Sequence, residues 1–229
     1  MSIACHNVLA IDTSGSFCSV AVVNASGVLS SLSSEGEGDH FEQLPLMVGR
    51  ACGDAGISPS DLRSIRVGVG PGSFTGLRIG MSFVKGLAWS LRVPLIGCSS
   101  LAGAAIAAMS RDSSVGRVVV LADARRDEVF AAVYSRGGPV AEEVAPCIVP
   151  VRELARPTWT TPGTLVVTPQ RDFLPLGYQV VSDGYIAEGL LALPVIEKGG
   201  FSLEEIALLE PTYLRAVAAK TIEERKQGA

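Results

Sequence analysis

At 229 residues the chain has room for one large domain or two small ones, and with 48% hydrophobic against 18% charged residues it must bury an extensive core. Aromatics are only 6%, which leaves Ala, Val, Leu and Ile to build that core, as in buried α/β sheets. A net charge of −4 and an isoelectric point near 5.3 exclude a dominant role in gripping phosphate backbones, and five scattered cysteines without a Cys-x-x-Cys pair exclude zinc-knuckle and thioredoxin-type sites.

The chain opens as a β-meander over 7–32. Val8-Leu9-Ala10-Ile11 reads as a buried strand ending at Asp12-Thr13-Ser14-Gly15, and two more strands flank the turn Asn24-Ala25-Ser26-Gly27. The polar stretch 33–39 is a loop. A helix is expected over 41–52, because Leu44, Met47, Val48 and Ala51 share one face and Pro45 falls in the first turn, where a missing N–H costs little. An apolar alternation over 65–69 then predicts a strand, followed by a helix over 77–91, a short strand over 95–97 and an alanine-rich helix over 101–109.

The polar segment 110–116 marks the expected boundary between a first lobe, 1–110, and a smaller second lobe, 111–229. The second lobe restarts with a strand over 117–122 that ends at Asp123-Ala124-Arg125. Further strands are expected over 128–135, near Cys147 and over 164–168, and 150–159 reads as helix or loop. Beyond that, short apolar segments alternate with Pro and Gly. A helix is expected over 203–209, extended chain over 211–215 and a polar, frayed end from Ala216. Both lobes begin with an apolar strand that ends in Asp and runs into an antiparallel pair. No apolar run approaches the roughly 18–20 residues that span a bilayer, and no signal-like start is present, so the expected location is the cytoplasm.

The most informative stretch is Gly70-Pro71-Gly72-Ser73-Phe74-Thr75-Gly76-Leu77-Arg78-Ile79-Gly80, where a strand ends in a glycine-rich turn that opens into a helix. Free N–H groups and the positive end of a helix dipole meet at such a place, which suits an anion. Ser73 and Thr75 can cap the helix or donate to a ligand. The run is not a P-loop, which needs Lys and Ser/Thr after its last glycine, and its Gly-x-Gly-x-x-x-Gly spacing is one residue too long for a dinucleotide fingerprint. The residue types leave open a ligand loop or a tight structural turn.

Asp12, beside Thr13 and Ser14, can hold a metal-bound phosphate or start the turn by bonding its own backbone. Asp123 carries the same ambiguity. The two histidines, His6 and His40, are too far apart for a helical metal-binding pair, and no Gly-x-Ser-x-Gly elbow occurs. Nothing here makes a convincing catalytic constellation. The apolar helix faces Leu44/Met47/Val48/Ala51 and Leu77/Met81/Val84/Leu87/Ala88 serve either a core or a partner.

Five markers occur in one order: Leu9-Ala10-Ile11-Asp12-Thr13-Ser14, His40 ahead of a Gln-Leu helix, the run Gly70 to Gly80, Asp123-Ala124-Arg125 followed by Glu128-Val129-Phe130, and Pro211-Thr212-Tyr213-Leu214-Arg215. Together they resemble the TsaB (YeaZ) family of proteins for tRNA threonylcarbamoyladenosine synthesis, once grouped with glycoproteases. The resemblance implies an α/β, two-lobed fold of the actin/sugar-kinase/Hsp70 type (ribonuclease H-like). It implies a non-catalytic activating subunit for N6-threonylcarbamoylation of adenosine 37 in tRNA, paired with a TsaD-like catalytic subunit and joined by a TsaE-like ATPase. No cofactor of its own is expected, ATP/ADP and metal belonging to the partner subunits. Contact with tRNA is expected only through the complex, and a homodimer when the chain is alone. Its fingerprint residues are Asp12, Thr13, Ser14, Gly70, Gly72, Ser73, Thr75, Gly76 and Arg78. The partner interface is expected on the first-lobe helices, at His40, Leu44, Met47, Val48, Ala51, Leu77, Met81 and Val84. The alternatives are a glycoprotease-like hydrolase using Asp12, Ser73 or Thr75, and a stand-alone ATP-binding domain using Asp12 and the glycine-rich loop.

Overall fold

The first strand, β1 (Val8–Asp12), is buried along its whole length because it lies at the middle of a five-stranded sheet. In the computed structural model, which describes residues 7–34, 40–138, 140–159, 161, 163–168, 180–181, 186–193 and 203–214, β2 (Ser19–Val23) pairs antiparallel with β1, and β3 (Leu29–Ser33) antiparallel with β2. On its other side β1 pairs parallel with β4 (Ser64–Gly68), which pairs parallel with β5 (Leu95–Cys98). Helices α1 (His40–Asp54) and α2 (Phe74–Leu91) supply the crossovers, and α3 (Ser100–Arg111) leads to the second sheet.

The second sheet repeats this plan. β6 (Arg117–Arg125), β7 (Glu128–Ser135) and β8 (Ala141–Pro150) form an antiparallel meander, and β9 (Leu165–Val167) and β10 (Val180–Val181) extend it parallel to β6. The order 3-2-1-4-5 therefore recurs as 8-7-6-9-10. That duplication is the two-lobed actin/sugar-kinase/Hsp70 arrangement expected from the sequence.

Alternation along the strands builds three apolar layers. Leu9, Ile11, Val20 and Val22 face outward onto α1 and α2, while Val119, Leu121, Val129 and Val133 form the outer layer of the second sheet with Leu154 and Trp159. Between the sheets, the small residues Ala10 and Ala21 on one side leave room for α3 and for α4 (Ile186–Ala192), and Val118, Val120 and Tyr134 pack against them from the other. Small residues let the two helices meet: a β-carbon at Gly189 would overlap the Gly103 carbonyl on α3.

Helix α4 is missing from the sequence reading, which assigns its residues only to alternating apolar segments. At seven residues with Gly189 inside, it is too short to hold itself. Both of its ends are held by the first sheet. The Ala187 N–H donates to Ser19 Oγ at 2.8 Å, and Arg66 on β4 donates to the carbonyls of Leu190, Leu191 and Leu193 at 2.7, 3.0 and 2.7 Å. Those carbonyls lie at or just past the C-terminal end of the helix, where the cation also meets the negative end of its dipole. Burial lowers the Arg66 pKa from its ordinary value. A second difference is the start of α2 at Phe74 in place of 77, because Ser73 caps it. The stretch 150–159 holds one 3-10 turn, Val151–Glu153. A short helix α5 (Leu203–Leu208) then returns to the first sheet, where Ile206 enters its core. The expectations for Arg215 and for the tail from Ala216 lie outside the described residues.

One hairpin is strained. β6 and β7 are joined by two residues, Arg126 and Asp127, with φ of 60° and 56°, and Arg125 before them has φ 64°. Such tight turns need positive φ at both central positions, which is why Asn-Gly normally fills them. A non-glycine residue held there costs about 1–2 kcal/mol.

Candidate functional site

Asp12 ends β1 on the inter-sheet face, and its carboxylate is closed on all sides. Oδ1 accepts from the Ser14 N–H at 2.8 Å and from Ser14 Oγ at 2.6 Å, and Oδ2 accepts from Ser100 Oγ at 2.6 Å. Ser100 Oγ in turn accepts from the Gly70 N–H at 3.1 Å. The residue is 0% exposed. Burial raises its pKa above the ordinary value, against the lowering effect of the Ser100 and Ser14 bonds. Of the two readings open in the sequence, the geometry is that of a turn-forming Asp. Asp123 behaves alike: its Oδ1 accepts from the Arg125 N–H at 2.7 Å, and its Oδ2 pairs with the Arg125 guanidinium at 3.2 Å.

The glycine-rich run packs directly against this turn. Added β-carbons at Gly72, Gly76 and Gly80 would overlap, in order, the Ser14 carbonyl oxygen, the Thr13 carbonyl oxygen and Thr13 Oγ1, and one at Gly68 would overlap the Asp12 carboxylate. The spacing of four puts Gly72, Gly76 and Gly80 on one side of α2 and its approach, so the Thr13–Ser14 backbone lies in a groove of missing side chains. Gly70 has φ +99°, a left-handed conformation that favours glycine. Hydrogen bonds lock the contact. Thr13 Oγ1 donates to the Gly76 carbonyl at 2.7 Å, the Ser73 N–H donates to the Ser14 carbonyl at 2.7 Å, and Ser73 Oγ accepts from the Gly76 N–H at 3.2 Å. Of the donors at this helix start, the Ser73 N–H serves the strand-end turn and the Gly76 N–H the Ser73 cap. Thr75 and Arg78, by contrast, are exposed, and Arg78 donates through Nε to the Tyr213 hydroxyl at 3.4 Å.

The C-terminal strap completes the surface. Its Thr212 N–H donates to the Val69 carbonyl at 2.7 Å, and Lys85 Nζ on α2 donates to the Ala207 carbonyl at 2.8 Å. Tyr213 then stacks near Phe74 with ring centroids 5.4 Å apart, and the Arg78 guanidinium lies 4.0 Å above the Phe74 ring. Sequence reading used Tyr213 as a marker but gave it no contact. Phe74 and Arg78 fall one turn apart at the helix start, a spacing that could have suggested the pair.

The expected interface residues need correction. Leu44, Val48, Ala51, Leu77, Met81 and Val84 are all buried inside this chain. All of them but Leu77 belong to the first sheet's outer layer. They face the strands because the apolar stripe of each helix is wide enough only for its own sheet. Met47 is half-buried, and the His40 side chain lies outside the described residues. The exposed apolar groups are others: Leu46 on α1 at 75%, Trp89 and Phe74 on α2 at 58% and 45%, Val28 and Leu29 on the second hairpin, and Leu208 and Tyr213 on the strap. All seven lie on the first sheet's layer or on the strap that covers it, and the second sheet's layer has none among the described residues. Sequence periodicity finds the apolar stripe and misses single apolar residues just outside it.

Thiol and metal chemistry find little support. Burial, reinforced by Asp12, pushes the Cys18 thiol up to about 12, and burial pushes Cys98 up to about 11. Among the described residues no three His, Cys, Asp or Glu side chains gather as a metal site, and no helix is long and apolar enough to cross a membrane.

Comparison with known proteins agrees with the motifs. The family described as "TsaD: tRNA N6-adenosine threonylcarbamoyltransferase" matches residues 27–166. The tRNA threonylcarbamoyladenosine biosynthesis protein TsaB of Bacillus subtilis is 34% identical over 61% of this chain and 59% of its own length. The protein of the same name from Escherichia coli is 37% identical over 56% of this chain and 55% of its own. The matches thus span less than two thirds of these curated relatives. Among solved structures, YeaZ from Pseudomonas aeruginosa superposes with a TM-score of 0.68 at 30% identity, covering 82% of this chain and 89% of that one. A second structure, of an uncharacterized protein with similarity to peptidase YEAZ from the same organism, gives a TM-score of 0.74 at 29% identity, over 92% and 100% of the two chains.

Proposed function

This chain belongs to the TsaB/YeaZ family, and from that premise we propose that it serves tRNA threonylcarbamoyladenosine synthesis as a non-catalytic subunit that binds and activates a TsaD-like catalytic partner. The observation that carries the reading is the one-sided distribution of exposed apolar side chains. Leu46, Phe74 and Trp89 stand on the outer helices of the first sheet, while the second sheet's layer shows no counterpart among the described residues. An apolar face confined to one lobe suits association better than turnover. The closed carboxylate of Asp12 supports the same reading, since the nucleotide alternative rests on that group and the hydrolase alternative names it beside Ser73 and Thr75.

In this account the nucleotide, the metal and the ATPase partner belong to the rest of the complex, and tRNA is met through it. Alone, the chain covers the same face by self-association. Leu46 is the position that tests the surface. Leu46→Glu should leave the circular dichroism spectrum and Tm unchanged and weaken binding of the TsaD-like subunit in a calorimetric titration by about tenfold or more. Met81→Glu, by contrast, should unfold the chain. Undiminished binding by a folded Leu46→Glu variant would remove α1 from the interface.

A further inference from the structure

The strained β6–β7 tip has no part in the core or in the Asp12 turn, yet it holds its conformation against local preference. Asn-Gly would fit the two central positions freely, and the chain carries Arg126-Asp127 there. The tip is braced from beneath. The Arg125 side chain is tied back to Asp123 at 3.2 Å, the Arg125 N–H bonds the same carboxylate, and the Asp127 carbonyl accepts from the Val151 N–H at 2.9 Å. Arg126 is exposed at the apex, and among the described residues nothing pairs with its guanidinium. Backbone strain that persists in a braced loop marks places where a side chain is held for use.

We propose that the β6–β7 tip is a second protein-contact point of this subunit, with Arg126 presented to a carboxylate on the partner. The inference rests on the subunit reading above. A guanidinium is the side chain suited to fork-like pairing with a carboxylate, and arginine is enriched where interfaces are strongest. A rigid, pre-set turn gives up little freedom when it docks. RNA phosphate is the less suitable ligand, because the exposed Asp127 flanks Arg126, Asp123 already neutralises Arg125, and the whole chain carries −4. The tip belongs to the second sheet and the apolar residues of α1 and α2 to the first sheet's layer, so the contact is additional to theirs.

Two variants separate use from tolerance, each titrated against the TsaD-like subunit as full-length protein. Arg126→Gln keeps the strained backbone and removes the charge. It should leave Tm unchanged and weaken binding about tenfold, which is about 1.4 kcal/mol. The double variant R126N/D127G relieves the turn. It should raise Tm and weaken binding by a similar factor, the signature of a residue retained at the expense of stability. Binding within about twofold of wild type for both variants would overturn the proposal while leaving the subunit reading intact. Loss of tRNA affinity by the assembled complex, with the salt slope reduced by about one and partner binding unchanged, would overturn it in favour of a phosphate contact. Failure of the wild-type chain to bind the partner would remove both readings.

Discussion

Asp12 sits between Ser14 and Ser100 with no exposed surface, and its pKa is raised because burial outweighs the three hydrogen bonds. The consequence for stability has a definite sign. A carboxyl that titrates above its ordinary 3.8 in the folded state binds its proton before the unfolded chain does as pH falls. Its charge is therefore a cost that is complete only above the raised folded value and gone below 3.8. An asparagine in its place would keep both bonds from Ser14 and could donate to Ser100. The stability of Asp12→Asn minus that of wild type should therefore shrink as the solution is acidified through the raised folded value toward the ordinary carboxylate range, as read by urea unfolding. A difference that widens in acid would mean that the ionised carboxylate is favoured where it lies. This part of the site was only half legible in sequence. Asp-Thr-Ser at a strand end signals a turn, but Ser100, far along the chain, is what closes it.

At the scale of elements, the glycines around the start of α2 answer to the strand-end turn they pack against. The glycines at 72, 76 and 80 are required by the backbone they touch, and Gly86 on the same helix meets nothing within 4 Å. The pair Gly76 and Gly86 makes a sharp test. Gly76→Ala drives a methyl group into the Thr13 carbonyl and should destabilise by at least about 1–3 kcal/mol, as overpacking does. Gly86→Ala should stabilise by about 0.5–1 kcal/mol through helix propensity. Equal effects in thermal unfolding would mean that the groove can relax and that the run is kept for something else. The four-residue spacing was visible in the sequence, whereas the strand-end turn lying in the groove was not. Helix α4 was less legible still. Seven residues with a central glycine carry no periodic signal, and they are helical because Ser19 and Arg66 hold their two ends. Helices α1 and α2 were found by their stripes, but those stripes face the chain's own sheet.

Across the whole molecule, the strand pattern offered only a loose repeat of an apolar strand, a terminal Asp and a hairpin, and the family resemblance implied the two-lobed architecture. Duplicated sheet order makes the repeat explicit. The asymmetry between the lobes is what sequence could not supply. Exposed apolar groups gather on the first sheet's layer and the strap, while the second lobe offers a braced, charged hairpin tip. Those differences follow from single side chains on otherwise equivalent surfaces, and periodicity averages them away. They leave exposed apolar groups on one lobe and a braced, charged tip on the other.

The most direct test of the account is reconstitution of tRNA threonylcarbamoylation from a TsaD-like subunit, a TsaE-like ATPase and the synthase that supplies threonylcarbamoyl-adenylate, with and without this chain. The account predicts modification only when the chain is present, and no turnover by the chain alone. Full modification in its absence, or activity from the isolated chain, would contradict it.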